Sequence, residues 1–277
     1  MTATSLGAAP PRAARRDPPP DPRGVLDTAG AIATFGVRLT RATPSVRHYA
    51  GEALRQAAII VTGSTLVIVT IAFFAGGSCG LESSALARAF GAAPIAGGFS
   101  SWCTLREVIP FVFGYIVAAK VGCAMVAELS AMRVAEEIDQ LEGMGVRSLA
   151  YLAGTRFVAC GITLPFAYLL SVAAGYAAAG LMSLGRFGDV SPGTWKLFFL
   201  SFQDSGDLLY SFVKGLVITA FVVVVALHQG YALRARGPVD VGRATARSMA
   251  ISIVGVTLIS MAGTLLFWGA NPRIPIG

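Results

Sequence analysis

Charge is what this sequence has least of. Asp, Glu, Lys and Arg make up 13% of its 277 residues, against about 25% in a typical soluble domain. With 55% of the residues hydrophobic and a mean hydropathy of +0.67, a chain of this length is not kept in solution, which leaves an integral membrane protein. Histidine is nearly absent: His48 and His228 stand alone, each read as an interfacial or packed ring rather than a ligand. The four cysteines have neither C-x-x-C spacing nor histidines beside them, which argues against a metal site. Cys79 and Cys103 can share one loop outside the membrane and are candidates to pair, but two free thiols are the favoured reading. No G-x-x-x-x-G-K-[ST] or H-E-x-x-H occurs, and no Asp/His cluster falls within an apolar run. The chain is therefore not expected to be an enzyme, and any energy source lies in another chain. The net charge of +7 is spread between apolar runs and at the N-terminus instead of along one face, which argues against a nucleic-acid partner.

What the sequence does have is uncharged runs of bilayer length. About 20 apolar residues cross a hydrocarbon core as a helix. By that measure the chain reads as an all-α integral membrane protein with five transmembrane helices, at about 57–78, 106–127, 154–182, 208–233 and 247–269, inside one membrane unit covering 57–277. Residues 1–24, rich in Pro, Arg and Ala, read as a disordered cytoplasmic tail. They lack the apolar core that would make them a signal peptide. Within 25–56, Val25, Leu26, Ala29, Ile32, Ala33 and Val37 recur at helical spacing, which predicts a helix lying in the membrane interface, interrupted near Pro44.

Basic residues set the orientation. Arginines crowd the N-terminal region, recur as Arg133, Arg147 and Arg156, and return as Arg234, Arg236, Arg243 and Arg247. These segments are read as cytoplasmic, with the C-terminus outside. Between spans two and three, about 129–146, Val134, Ile138, Leu141 and Gly145 fall at i, i+4, i+7 and i+11, with Glu136, Glu137, Asp139 and Glu142 on the remaining surface. Two readings stay open: a solvated loop helix, or a docking helix with Leu141 and Met144 as adaptable apolar contacts and the acids facing a basic partner.

Charges within the spans are the other candidates. Lys120 costs roughly 2.5–3.5 kcal/mol near mid-helix on insertion scales, so it needs a partner, a water-filled cavity or a snorkelling route. Glu128 lies only about two turns away. Arg106 and Glu107 form either an interfacial ion pair or part of a polar lining. Asp207 and Lys214, on one face seven residues apart, raise the same choice. Gly63, Gly114, Gly122, Gly175 and Gly180 would allow close helix approach, within the chain or across a dimer.

Several stretches together resemble the MlaE/YrbE family of ABC-transporter permeases. They are "LREVIPFVFGYIVAAKVGCAMVAELSAMRVAEEIDQLEGMGV" (105–146), "DLLYSFVKG" (207–215), "HQGY" (228–231) and "GPVDVGRATARS" (237–248). The resemblance implies a lipid-transport permease of the inner membrane that works as a dimer. It also implies a cytosolic ABC ATPase dimer that binds ATP and Mg, and a ring of MCE proteins on the outer face. This chain would hold no cofactor of its own. The 129–146 segment would be a coupling helix, with Glu136, Glu137, Asp139, Leu141 and Met144 engaging the ATPase. Arg106, Glu107, Lys120, Glu128, Asp207 and Lys214 would give polar support along the lipid path. The Ala, Gly and Arg content and the Pro-Arg tail suit the actinobacterial YrbE type, in which two paralogues pair and the cargo is a fatty acid, sterol or related lipid. Three positions depart from the family pattern: Lys120 where Arg is common, Ser260 where an acid is frequent, and Gln140 where Ala is usual. They suit one half of a heterodimer. Outside this family, a gradient-driven transporter would need paired mid-membrane acids and an internal repeat, which are not found. A scaffold recruiting a cytosolic partner is the other alternative.

Overall fold

The computed structural model describes residues 22–187, 190–232 and 237–269. Arg234 and Arg236, and nearly all of the N-terminal tail, lie outside the described residues. Every regular element among the described residues is helical, as expected where no water is available to satisfy the backbone. The elements are α1 (Pro22–Ala42), a 3-10 segment (Thr43–Tyr49), α2 (Ala50–Ala89), α3 (Ala96–Trp102), α4 (Ile109–Ile116), α5 (Cys123–Val134), α6 (Glu137–Gly143), α7 (Thr155–Phe187), α8 (Pro192–Ser201), α9 (Ser205–Tyr231) and α10 (Pro238–Trp268). Two π-helical segments, Cys103–Val108 and Val117–Gly122, join α3, α4 and α5 into one rod, and a third, Leu149–Gly154, leads into α7. Five rods are long and apolar enough to cross a membrane. This is a multi-pass membrane protein.

α1 ends where the 3-10 segment begins, at Pro44, which cannot donate to the preceding turn. It buries Ile32, Phe35 and Leu39, spaced three and four apart on one face, and packs on α9 and on the π segment before α7. The Phe35 ring meets those of His228 and Tyr231 near the C-terminal end of α9.

α2 has 40 residues, about 60 Å at 1.5 Å per residue, twice the roughly 30 Å hydrocarbon core. One end therefore projects beyond the bilayer, where the short helices α3 and α8 pack together. At Gly97 an added Cβ would lie 2.3 Å from the Trp195 carbonyl oxygen. Along the bilayer α2 lies against α7 at backbone contact: a Cβ on Gly76 would come 2.3 Å from the Gly175 oxygen, and one on Gly80 2.4 Å from the Ala179 oxygen. Close packing of this kind drives helix association where lipid removes the hydrophobic driving force. Gly63, on the same helix, has nothing within 4 Å of such a Cβ. Gly76→Ala is thus expected to destabilise the chain by about 1–3 kcal/mol through overpacking. Gly63→Ala is expected to stabilise it by about 0.5–1 kcal/mol through reduced backbone entropy. Thermal unfolding of the two variants in one detergent checks the opposite signs.

The expectation of free thiols at Cys79 and Cys103 is wrong. The two form a disulfide, with Cα atoms 5.9 Å apart. The cause is the length of α2, which continues as helix past the predicted span and lays Cys79 beside the π segment that starts at Cys103. Alkylation of the denatured, unreduced chain should modify only Cys123 and Cys160, the two free cysteines. Modification of all four without reductant would contradict the pairing.

Candidate functional site

The feature that organises the site is a proline. Pro110 lies just after the π segment Cys103–Val108 and has no N–H to donate, so one carbonyl of the preceding turn, at Leu105 or Arg106, loses a helical partner. Two side chains of α9 meet these carbonyls: Ser211 Oγ donates to the Leu105 oxygen at 2.5 Å, and Lys214 Nζ to the Arg106 oxygen at 2.8 Å. Asp207, Ser211, Lys214 and Ile218, at i, i+4, i+7 and i+11, form one stripe of α9, and all four are buried. This stripe is how a membrane helix carries an acid and a lysine at tolerable cost, since every polar head meets a partner from the π segment or α10.

Arg106 is paired with Asp207 at 2.7 Å, with both side chains buried. The second Asp207 oxygen accepts from Trp268 Nε1 at 2.8 Å. The Arg106 guanidinium also lies over the Trp102 ring, 4.2 Å from its centroid, a cation–π contact strengthened by desolvation. Lys214 Nζ reaches Glu107 at 3.3 Å and Thr264 Oγ1 at 2.7 Å, while the Thr264 hydroxyl donates to Glu107. Glu107, with a side chain 48% exposed, brings this cluster to the outward surface along the α4–α10 seam. Further along the seam the Tyr115 and Thr257 hydroxyls meet at 2.8 Å. Behind the cluster, Tyr168 OH shares a 2.6 Å hydrogen bond with Ser211 Oγ.

The six residues expected to give polar support do not form one group. Arg106, Glu107, Asp207 and Lys214 come together. Glu128 lies 22 positions along the rod from Arg106, about 33 Å away by helical rise, and pairs with Arg156 at 2.6 Å. Lys120, in the second π segment, faces outward and makes no hydrogen bond or ion pair among the described residues. Sequence reasoning missed Ser211, Thr264, Trp102 and Trp268. For Ser211 the signal was present, since it completes the i, i+4, i+7 stripe with Asp207 and Lys214.

At the other end of the rods, α6 stands between two left-handed residues, Glu136 (φ 59°) and Gly145 (φ 79°). Left-handed backbone costs about 1–2 kcal/mol at a residue with a side chain, so Glu136 is held there by its surroundings. Ile138 is fully buried and anchors α6. Leu141 packs against the core from a half-buried position, and Met144 is 71% exposed. Arg133 ties α6 to α9: it donates to Asp139 at 2.9 Å and to the Tyr231 carbonyl at 2.9 Å, and lies over the Tyr231 ring. Glu142 accepts from Ser148, whose hydroxyl also meets Tyr231 OH at 2.6 Å. The side chains of Glu136 and Glu137 face outward and make no hydrogen bond or ion pair among the described residues.

α9 therefore links two sites. Its C-terminal end holds α6, and its N-terminal end holds the buried polar stripe, an arrangement suited to moving one site with the other. Comparison with known proteins agrees with a transport role. The permease protein MlaE of an intermembrane phospholipid transport system in Haemophilus influenzae is 26% identical over 250 residues, covering 89% of this chain and 95% of the relative. A probable ABC transporter permease of Rickettsia bellii is 26% identical over 243 residues, 87% of this chain and 93% of its own. The chloroplastic protein trigalactosyldiacylglycerol 1 of Arabidopsis thaliana is 26% identical over 186 residues, 64% of this chain and 51% of its own. The sequence model of the family described as permease MlaE matches residues 53–266, which takes in α6, the π segments and both ends of α9, and the chain belongs to that family.

Proposed function

We propose that this chain is the membrane-spanning subunit of an Mce-type ABC lipid importer, in which α6 receives the stroke of a cytosolic ATPase and α9 carries it to the lipid path. The observation that carries the reading is the Arg133 clamp, which fixes α6 to the end of α9 through Asp139 and Tyr231. α9 is an unbroken helix of 27 residues, about 40 Å long, so a displacement of α6 reaches Asp207, Ser211 and Lys214 without needing to bend a joint. ATP and Mg are held by the ATPase dimer. Hydrolysis does work on this chain only because the two states of the ATPase make contacts of different energy with α6.

The side bearing α1 and α6 is cytoplasmic, as the arginines suggest, and the C-terminus faces the MCE ring. Lys120 supports a second permease beside this one. An unpaired cation facing outward within a span is costly in lipid, and a paralogous permease, or a polar passage between two permeases, gives it a partner. The Haemophilus influenzae relative is named for phospholipid transport, which favours an amphipathic lipid with a charged head. Of the lipids of the actinobacterial YrbE type, fatty acids share that charged head, whereas sterols share only the amphipathic character.

The test is affinity purification of the tagged chain from its own cell in mild detergent, with mass spectrometry of proteins and lipids together. An ABC ATPase, a YrbE-like paralogue, MCE proteins and a co-purifying lipid are expected. Recovery of the chain alone, under conditions that keep other ABC complexes intact, would contradict the proposal.

A further inference from the structure

An apolar groove lies between α1 and the spans, separate from the charged heads of the polar stripe. α1, α7, α9 and α10 enclose a groove of about 800 Å³, within the roughly 300–1,000 Å³ of typical ligand pockets. Its walls include Ile32 from α1, Phe157 from α7, Phe221 and Val224 from α9, and Ile251 from α10, and among the described residues the one charged residue lining it is Arg247. We propose that this groove holds one acyl chain of an anionic phospholipid, with Arg247 taking the headgroup.

Depth supports the assignment. Residues 249–268 of α10 carry no charge and at 1.5 Å per residue span about 30 Å, the thickness of the hydrocarbon core. Arg247 lies just beyond that run, at headgroup level, while Ile251, Phe221 and Val224 line the groove at hydrocarbon depth. Charge supports it too. Arg247 donates to the neutral Thr28 hydroxyl at 3.2 Å, pairs with no carboxylate among the described residues, and no acid lines the groove. A guanidinium with free N–H groups above an apolar slot suits a phosphate head above its own chain. The N-terminal segment of this protein is a poor occupant, since Arg12, Arg15 and Arg16 would bring like charge to Arg247. α1 would then be held to the spans by lipid as well as by protein. None of this depends on an ATPase or on the cargo.

The experiment uses the full chain in nanodiscs of phosphatidylglycerol and phosphatidylcholine. Each lipid is supplied in turn as a diazirine-acyl probe, and crosslinked residues are mapped by mass spectrometry. The phosphatidylglycerol probe is expected to label Phe221, Val224 and Ile251 above the outward-facing Leu258 and Leu266 of α10. Arg247→Gln should lower that labelling about tenfold, the size of one hydrogen bond to a charged group, and lower phosphatidylcholine labelling less, since the choline cation offsets the phosphate charge. Arg243→Gln, one turn along α10 and not among the lining residues, should change neither. Ala220→Phe, which fills the groove, should lower both. Labelling no higher than at Leu258 and Leu266, indifference to Arg247→Gln, or crosslinking of the groove to a protein chain would each overturn the proposal. The arginine series decides even if the filling variant fails to fold.

Discussion

Replacing Asp207 with Ala is expected to cost about 3–5 kcal/mol of stability, the penalty for leaving a buried charge without its partner. Asp207 is 1% exposed, and its two oxygens serve Arg106 and Trp268 separately. The substitution takes the carboxylate away from a buried guanidinium and an indole N–H together. For a domain of this size the loss corresponds to a fall in melting temperature on the order of 10 °C, readable in detergent. Asp207→Asn, which can keep the Trp268 hydrogen bond but not the charge, should fall between parent and Ala. The double variant Arg106→Met, Asp207→Leu should be milder than Asp207→Ala, because neither charge of the pair is then left without the other. A melting temperature for Asp207→Ala within a degree or two of the parent would mean that the pair does not hold α9 against the π segment.

The second large effect is expected at α6. Of the acids first assigned to coupling, Asp139 is committed to Arg133, which leaves Glu136 and Glu137 as the outward acids available to a basic groove. Glu136→Lys with Glu137→Lys sets like charges against that groove, which costs several kcal/mol. Capture of the ATPase should fall at least about a hundredfold. Both side chains are exposed and bonded to nothing among the described residues, so insertion and melting temperature should stay near those of the parent. A quantitative pull-down with purified ATPase checks the first, and a melt checks the second. Unchanged capture would remove the acids from the docking surface.

The membrane-crossing rods were legible in the sequence because their cause is one-dimensional: an uncharged run of about 20 residues has to be helical in lipid. A helix at α6 was legible from a 3.6-residue period with acids on the other face, but the single helix expected over 129–146 is broken at the left-handed Glu136, so that Val134 belongs to α5 and Gly145 lies past the end of α6. The site was legible only in part. Arg106, Glu107, Asp207 and Lys214 stood out as charges in apolar surroundings, but their grouping depends on the π segment, whose extra residue per turn carries no sequence period. Pro110 held the missing clue, since its absent N–H loosens the turn whose carbonyls Ser211 and Lys214 meet. The pairing of Cys79 with Cys103 was hidden because counting apolar residues ends α2 at the bilayer, whereas the helix continues to Ala89. α3 and α8 were missed because they are too short to register as spans. No sequence pattern distinguishes a lysine that faces its own core, as Lys214 does, from one that faces outward, as Lys120 does.

The central claim is that motion of α6 moves lipid through α9. Its most direct test is the amount of labelled phospholipid transferred per ATP hydrolysed by the purified complex in proteoliposomes, comparing the parent with Arg133→Ala. Arg133 holds α6 to α9 but does not belong to the outward acids, so the variant is expected to keep ATPase capture and hydrolysis while transfer per ATP falls about tenfold or more, as the loss of two hydrogen bonds to a charged group implies. Transfer per ATP equal to that of the parent would contradict the account.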